Sequence, residues 1–340
     1  MGEGEGWLTW REAWERALYG PDGFYRREQP ADHFRTSAQV GEAYADVVLA
    51  LLRREGLAAV LDVGAGAGEL LRVLHHRDRR LSLTGVELRS RPADLPEAIA
   101  WVDELPASIE GLLLANEMLD NVPCDVVEVD DVGVVRLVEV LPSTGEERLG
   151  AKAPPEALSW LARWWPVDQP GRRAEVGLTR DVWWADACAR LTSGVAVAVD
   201  YGHLRDTRPP VGSLTSYRAG RVCVASPDGR HDVTAHVAVD ALSNVVGASF
   251  STQRETVEAL TSATPSPPID LARTNPTSYL RDLSNAGDKA ELTGSPGLGD
   301  FWWMTTRIPR LCRSTDHLSS SSGAQTWTED HYHRRGDHER

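Results

Sequence analysis

Short apolar runs alternating with amphipathic stretches fill the middle of this chain. AAVLDVG (58–64), LSLTGVE (81–87), AIAWVD (98–103) and GLLLANE (111–117) are nearly continuous in apolar side chains and are bounded by turn-forming residues, and a helical period occupies about 68–76. Such runs predict parallel strands buried on both faces, because crossover helices cover both sides of the sheet. The alternation resumes with a helix at about 179–191, the strand GVAVAVDYG (194–202), a helix near 237–246 and a late strand at 301–306. The predicted fold is α/β, a doubly wound, mostly parallel, Rossmann-like sheet.

Before this pattern, Trp7, Trp10, Trp14 and Leu18 recur three to four residues apart, the stripe of an amphipathic helix laid on apolar surface. A turn-rich stretch follows, and 38–55 reads as a second helix. Residues 124–175 interrupt the alternation. Two strands are expected around Asp131, Val132 and Gly133, then a Pro-, Gly- and Trp-rich segment with a short helix near Glu156 to Trp164, together an insertion carried on the sheet. Residues 262–276 are rich in proline and small polar residues and predict a surface excursion or linker. From 311 onward the chain is polar, with four consecutive serines and His317, His331, His333 and His338; its composition suits a solvated tail better than a metal site.

With 340 residues, 41% of them hydrophobic, the chain can bury one large core or two modest ones. A formal charge of -14 repels phosphate backbones, so nucleic-acid binding is not expected. Cys124, Cys188, Cys223 and Cys312 form no CxxC pair, which suits reduced thiols in a cytoplasm and offers neither a zinc site nor a disulfide frame. The first residues, MGEGEGWLTW, are acidic where a leader would be basic. No stretch approaches 18 uninterrupted apolar residues, so no membrane span is expected.

The chemistry concentrates at VLDVGAGAGEL, which runs strand, glycine turn, helix. Gly64, Gly66 and Gly68 let the backbone turn sharply and approach a ligand. A dinucleotide fingerprint would place its third glycine at position 69, where this chain has Glu69. Glu69 and Asp62 would oppose a pyrophosphate at the helix start, whereas a positively charged sulfonium suits an acidic lining. Glu87 ends the second strand 19 residues past Gly68, placed to accept both hydroxyls of a ribose. Asp103, after the third strand, is either an acceptor for an adenine amine or a residue with a helix-cap or turn role. The cofactor these residues fit is S-adenosyl-L-methionine.

On the acceptor side, Asn116, Glu117 and Asp120 emerge after the fourth strand, and Asp200 and Tyr201 after the fifth, at the carboxyl edge where open α/β sheets bind ligands. Carboxylates there can hold a nitrogen nucleophile and manage its departing proton, and paired acids would favour a guanidinium. The alternative is that Glu117 and Asp120 cap the next helix or grip an internal arginine. Asp232, Thr234 and His236 sit in DVTAHV, where Asp232 and Thr234 could start a helix and His236 reads as a structural histidine before a general base.

These motifs carry a resemblance. ALYGPDGFY (17–25), HFRTSAQVG (33–41), LDVGAGAGEL, ANExxDxxP (115–123), AVDYG, GSLTSYRAGR (212–221), DVTAHV (232–237), Thr252-Gln253 and GLGDF (297–301) are similar to the MidA-type (DUF185) class I methyltransferases. That group includes a mitochondrial complex I assembly factor acting as a protein arginine methyltransferase. The resemblance spans roughly residues 10–307 and implies that Asp62 to Gly68 and Glu87 hold the cofactor while Asn116, Glu117 and Asp120 shape the acceptor pocket. It implies that residues 1–57 form a helical cap over a methyltransferase domain at 58–310, and that the substrate is an arginine of a partner protein. Two segments depart from the family pattern, ADHFRTS at the presumed acceptor entrance and Gly220-Arg221 where the family has a histidine. Small-molecule methylation and an assembly or chaperone-type binding protein with a retained pocket are the competing readings, and a nicotinamide oxidoreductase is opposed by Glu69.

Overall fold

The computed structural model describes residues 6–28, 36–40, 42–262 and 266–309. The tail from 311, with Cys312 and its four histidines, lies outside the described residues, as does part of HFRTSAQVG. Seven strands form the central sheet: β1 (Ala59–Val63), β2 (Ser82–Val86), β3 (Ile99–Val102), β4 (Ile109–Asn116), β5 (Leu191–Asp200), β6 (Ser249–Thr252) and β7 (Trp302–Ile308). Their spatial order is β6-β7-β5-β4-β1-β2-β3. The pairs among β1 to β5 are parallel, and β7 runs antiparallel between β5 and β6. The order reverses between β1 and β4, so the loops after these two strands open a crevice at the carboxyl edge.

Two apolar clusters cover the two faces of this sheet, and the strands sort their residues between them with period two. Leu112 and Leu114 of β4, with Val195, Val197 and Val199 of β5, pack on α3 (Ala43–Glu55), α4 (Glu69–Arg77), α8 (Gln253–Leu260) and the end of α10 (Pro276–Thr293). Leu113, Ala115, Ala196 and Ala198 face α6 (Leu178–Ala189) and α7 (Val239–Val246). This double burial explains the unbroken apolar runs in the sequence. Each fully buried leucine adds about 2 kcal/mol of transfer free energy.

The insertion at 124–175 forms a subdomain with a sheet of its own. Asp125–Val129, Val135–Leu141, Glu146–Lys152 and Arg173–Val176 make a separate antiparallel sheet, and Leu8–Thr9 joins it as a fifth strand. One side carries α1 (Trp10–Tyr19), with Trp10, Trp14 and Leu18 buried against Val126, Val138 and Val140. The other carries α5 (Pro155–Trp164) through Trp160 and Leu161. The strand Glu146–Lys152 escaped the sequence reading because it is mostly exposed and carries charged side chains, as edge strands do.

Three expectations change. The proposed helix over 38–55 is a single 3-10 turn, Ser37–Gln39, followed by α3. The proline-rich excursion contains the start of two helices, α9 (Ile269–Thr274) and α10, whose first residue, Pro276, already has the φ a helix needs. Asp232–Thr234 is a strand paired with Thr215–Arg218, so these residues start no helix.

Candidate functional site

The glycine loop leaves β1 and enters α4. Gly64 and Gly68 have φ of +71° and +80°, backbone conformations that side chains disfavour, and a Cβ on Gly68 would sit 2.8 Å from Leu95 Cδ1. The loop's free N–H groups are taken by carboxylates. Gly66 N–H donates to Glu87 Oε2 at 3.0 Å, and Ala67 N–H donates to Glu69 Oε2 at 3.0 Å. Donors that could cradle a pyrophosphate are thus occupied by like-charged groups, in keeping with a phosphate-free cofactor. Glu87 also accepts from the backbone N–H of Arg89 at 3.2 Å and from its Nε at 3.3 Å.

Asp62 is buried beneath this loop. Burial first, then the negative charges of Glu69 and Glu87, push its carboxyl up to about 8. A buried acid facing two others is a place where a cation gains most, and a sulfonium amino acid supplies such a cation. The loop, Asp62 and Glu87 therefore fit S-adenosyl-L-methionine.

The loop forms one wall of a cavity of about 750 Å³ whose lining includes Asp62, Gly64, Gly66, Glu87, Asp103, Asn116 and Glu117. Gly68 lies just behind it. Asp103 is exposed at the rim in a bend where no helix begins, so of the alternative reading the helix cap falls and the turn role stands.

The opposite wall is built by the end of β4. Asn116 Oδ1 accepts from the Tyr44 hydroxyl of α3, and Asn116 Nδ2 donates to Glu117 Oε1 at 3.3 Å. Glu117 turns out of the strand with φ of +50°, a left-handed conformation that costs a non-glycine residue about 1 kcal/mol. Its backbone N–H is held by the Val199 carbonyl at 2.7 Å, and its Oε1 accepts from Ser37 N–H at 2.6 Å. Burial pushes the Glu117 carboxyl up to about 7, against the hydrogen bonds from Ser37.

Asp120, Asp200 and Tyr201 do not line the cavity, contrary to the expectation that the whole acidic set faces the acceptor. Asp200 is buried under the turn Leu119–Asn121, accepting from the N–H groups of Leu119 at 2.9 Å and Asp120 at 3.1 Å. Asp120 accepts from the hydroxyls of Tyr201 and Thr234. Burial raises both carboxyls, and the charge of Asp120 raises Asp200 further. The buried guanidinium of Arg180 ties this turn down by donating to the carbonyls of Asp120 at 2.6 Å, Val122 at 3.1 Å and His236 at 2.9 Å. The internal arginine of the alternative reading thus exists, but it grips backbone carbonyls. His236 stands outside the lining, its N–H on Ser213 Oγ and its ring edge-on to Tyr201.

Residue-level reading missed several lining groups. Tyr19 and Tyr25 stack with centroids 5.6 Å apart and reach Asn121 O and Asp232 Oδ1 through their hydroxyls. Trp183 and Asp186 come from α6, and Arg190 is the residue that caps it, bonding Asp186 and the Leu105 carbonyl. The two tyrosines fall inside ALYGPDGFY, a usable signal. The α6 residues project from an ordinary helical pattern that gives none.

The strand order, the lone antiparallel β7 and the glycine loop define the class I methyltransferase architecture. The chain belongs to the family of S-adenosyl-L-methionine-dependent methyltransferases, whose model matches residues 77–256, more than half its length. It is a methyltransferase that uses S-adenosyl-L-methionine. The match begins beyond the glycine loop and includes Glu87, ANEMLDNVP, VDYG and DVTAHV. In fold the chain is similar to a COG1565 superfamily member from Burkholderia thailandensis crystallised with S-adenosyl-homocysteine, with TM-score 0.72 at 24% identity over 89% of this chain and 88% of that one. A native structure of a COG1565 superfamily protein from the same organism gives TM-score 0.71 at 24% identity over 89% and 87%. No curated protein matches the chain.

Proposed function

We propose that the enzyme methylates a cationic nitrogen, an arginine side chain of a partner protein, with Glu117 as the carboxylate that holds the acceptor. The observation carrying this reading is the charge of the cavity lining, eight acidic side chains, of which Asp62 is protonated at neutrality, against three guanidinium groups. A lining of that sign raises the local concentration of cations, both the sulfonium donor and a basic acceptor. Glu117, with its carboxyl near neutrality, can accept a hydrogen bond from the acceptor N–H and take up its proton.

In this reading Asp62, Gly64, Gly66, Gly68 and Glu87 hold the cofactor, Glu87 at its ribose, with Asp103 at the adenine end. S-adenosyl-L-methionine, when bound, supplies an electrophilic methyl group. Asn116 orients Glu117, while Asp120, Asp200 and Tyr201 brace the turn behind it and do not touch the acceptor. The segment 1–57 acts as a cap on a methyltransferase domain at 58–310, supported by Tyr19, Tyr25 and Thr36 in the lining. Among the described residues no helix is long and apolar enough to cross a membrane. The cysteine spacing supports a cytoplasmic site of action.

Incubating the purified enzyme with radiolabelled S-adenosyl-L-methionine and cytosolic extract, followed by acid hydrolysis, tests the acceptor. Label in methylarginine supports the reading. Label confined to small molecules moves the enzyme to the competing class.

A further inference from the structure

Thr252-Gln253 and the segment around Ser37 stand out in the sequence, yet neither Ser37 nor Gln253 lines the cavity. Gln253, at the start of α8, is fully buried. Its Oε1 accepts from the Trp303 indole N–H at 3.2 Å, and an indole can only donate, which fixes how the amide is turned. Nε2 is then the donating end, reaching the Leu292 carbonyl at 3.2 Å and Ser37 Oγ at 3.4 Å. Ser37 Oγ lies equally far from Gln253 Oε1, which accepts its proton. The backbone N–H of Ser37 in turn donates to Glu117 Oε1 at 2.6 Å, so the Gln253 amide anchors the residue whose N–H holds the carboxylate.

We propose that Gln253 and Ser37 are positioning residues that hold Glu117 in the cavity wall and control how readily it takes a proton, through a chain from Trp303 by way of Gln253 to Ser37, whose backbone N–H meets the carboxylate. The inference rests on the reading of Glu117 as the acceptor-side carboxylate. It accounts for the strained backbone at Glu117, which persists because donors on a separate element over-determine it. The other groups facing Glu117 are Asp120 on its own turn and Asp200 at the end of β5, both acidic, with Tyr44 of α3 held through Asn116. None of them donates a charge-stabilising bond to Glu117, which leaves that task to Ser37 and Asn116.

The test follows the Glu117 carboxyl directly, by carbon NMR titration of protein labelled at glutamate, with the resonance assigned through Glu117→Gln. Ser37→Ala deletes the oxygen that Gln253 holds and leaves the backbone donor without that anchor, and Gln253→Met removes the amide at similar volume. The midpoint of Glu117 should rise by up to about one pH unit in Ser37→Ala, as the 2.6 Å backbone bond to the carboxylate loses the contact that anchors its donor. It should rise by less in Gln253→Met, while cofactor affinity by calorimetry stays within twofold in both. An unchanged midpoint in Ser37→Ala that remains folded by circular dichroism overturns the proposal, whatever Gln253→Met does to stability. A midpoint that moves as expected in an enzyme that methylates no nitrogen acceptor supports the positioning role and overturns the function proposed for Glu117.

Discussion

Glu87 and Gly66 are joined by a 3.0 Å hydrogen bond from the Gly66 N–H to the Glu87 carboxylate, which ties the end of β2 to the turn after β1. A carboxylate so fixed needs no reorganisation to receive the hydroxyls of a ribose. Glu87→Gln keeps the shape and loses the charge. Because a hydrogen bond to an ionised group is worth about 1.5–3 kcal/mol, affinity for S-adenosyl-L-methionine should fall roughly 10- to 100-fold by calorimetry. A dissociation constant within twofold of the wild type would remove Glu87 from the cofactor site.

Gly68 carries two constraints at once. Its φ is +80°, and a Cβ would meet Leu95 at 2.8 Å. Gly68→Ala should cost about 1–3 kcal/mol from left-handed strain and overpacking. Gly56, with φ +66° and open space around it, is the control. Alanine at that exposed helix end carries the strain without the clash, so its loss of melting temperature should be the smaller, and its cofactor affinity should be unchanged.

These two residues show what was legible beforehand. A glycine loop between a buried strand and a helix, followed by an acid at the next strand end, is a local pattern, and the sequence displays it directly. Asp120, Asp200 and Tyr201 were harder. Their placement after β4 and β5 was foreseeable, but the direction each side chain takes depends on Arg180, some 60 residues away in α6, and on Thr234 from a small sheet without periodicity. The inserted sheet was half visible for the same reason: Asp125–Val129 and Val135–Leu141 alternate, whereas Glu146–Lys152 lies exposed at an edge and has no buried face to advertise it.

Asp62 gives cofactor binding a pH dependence. Its carboxyl ordinarily titrates at 3.8 and stands at about 8 here, so it is protonated at neutrality and ionises as pH rises. A cationic ligand prefers the ionised form, so affinity for S-adenosyl-L-methionine should increase from pH 6.5 to 9, with a proton released on binding. Calorimetry in buffers of different ionisation enthalpy detects that proton, and Asp62→Asn should abolish it. The same shift acts oppositely on the fold without ligand. Between its ordinary and raised values the folded state holds more protons than the unfolded one, so the contribution of Asp62 to stability falls as pH rises through that window. Asp62→Asn should flatten this slope; an equal slope in both proteins would contradict the burial argument.

Arg180 closes the set. Its guanidinium donates to three carbonyls, those of Asp120, Val122 and His236, and lies 5.7 Å over the Trp14 ring, so it fastens α6 to the turn behind Glu117 and to α1. It is also the buried cation whose charge lowers Asp120 and Asp200 toward ionisation, against the desolvation that raises them. Arg180→Met fills much of the same volume but leaves the carbonyls without donors and the two acids without that charge. Removing one member of a buried ionic network costs about 3–5 kcal/mol, which in a chain of this size lowers the melting temperature by roughly 10 °C. Scanning calorimetry at pH 7.5 checks it. Since both acids then titrate higher, the loss relative to wild type should shrink as pH falls and Asp120 and Asp200 take up protons. A deficit that stayed constant between pH 5 and 8 would show that Arg180 acts through packing and its carbonyl hydrogen bonds, without the charges of Asp120 and Asp200.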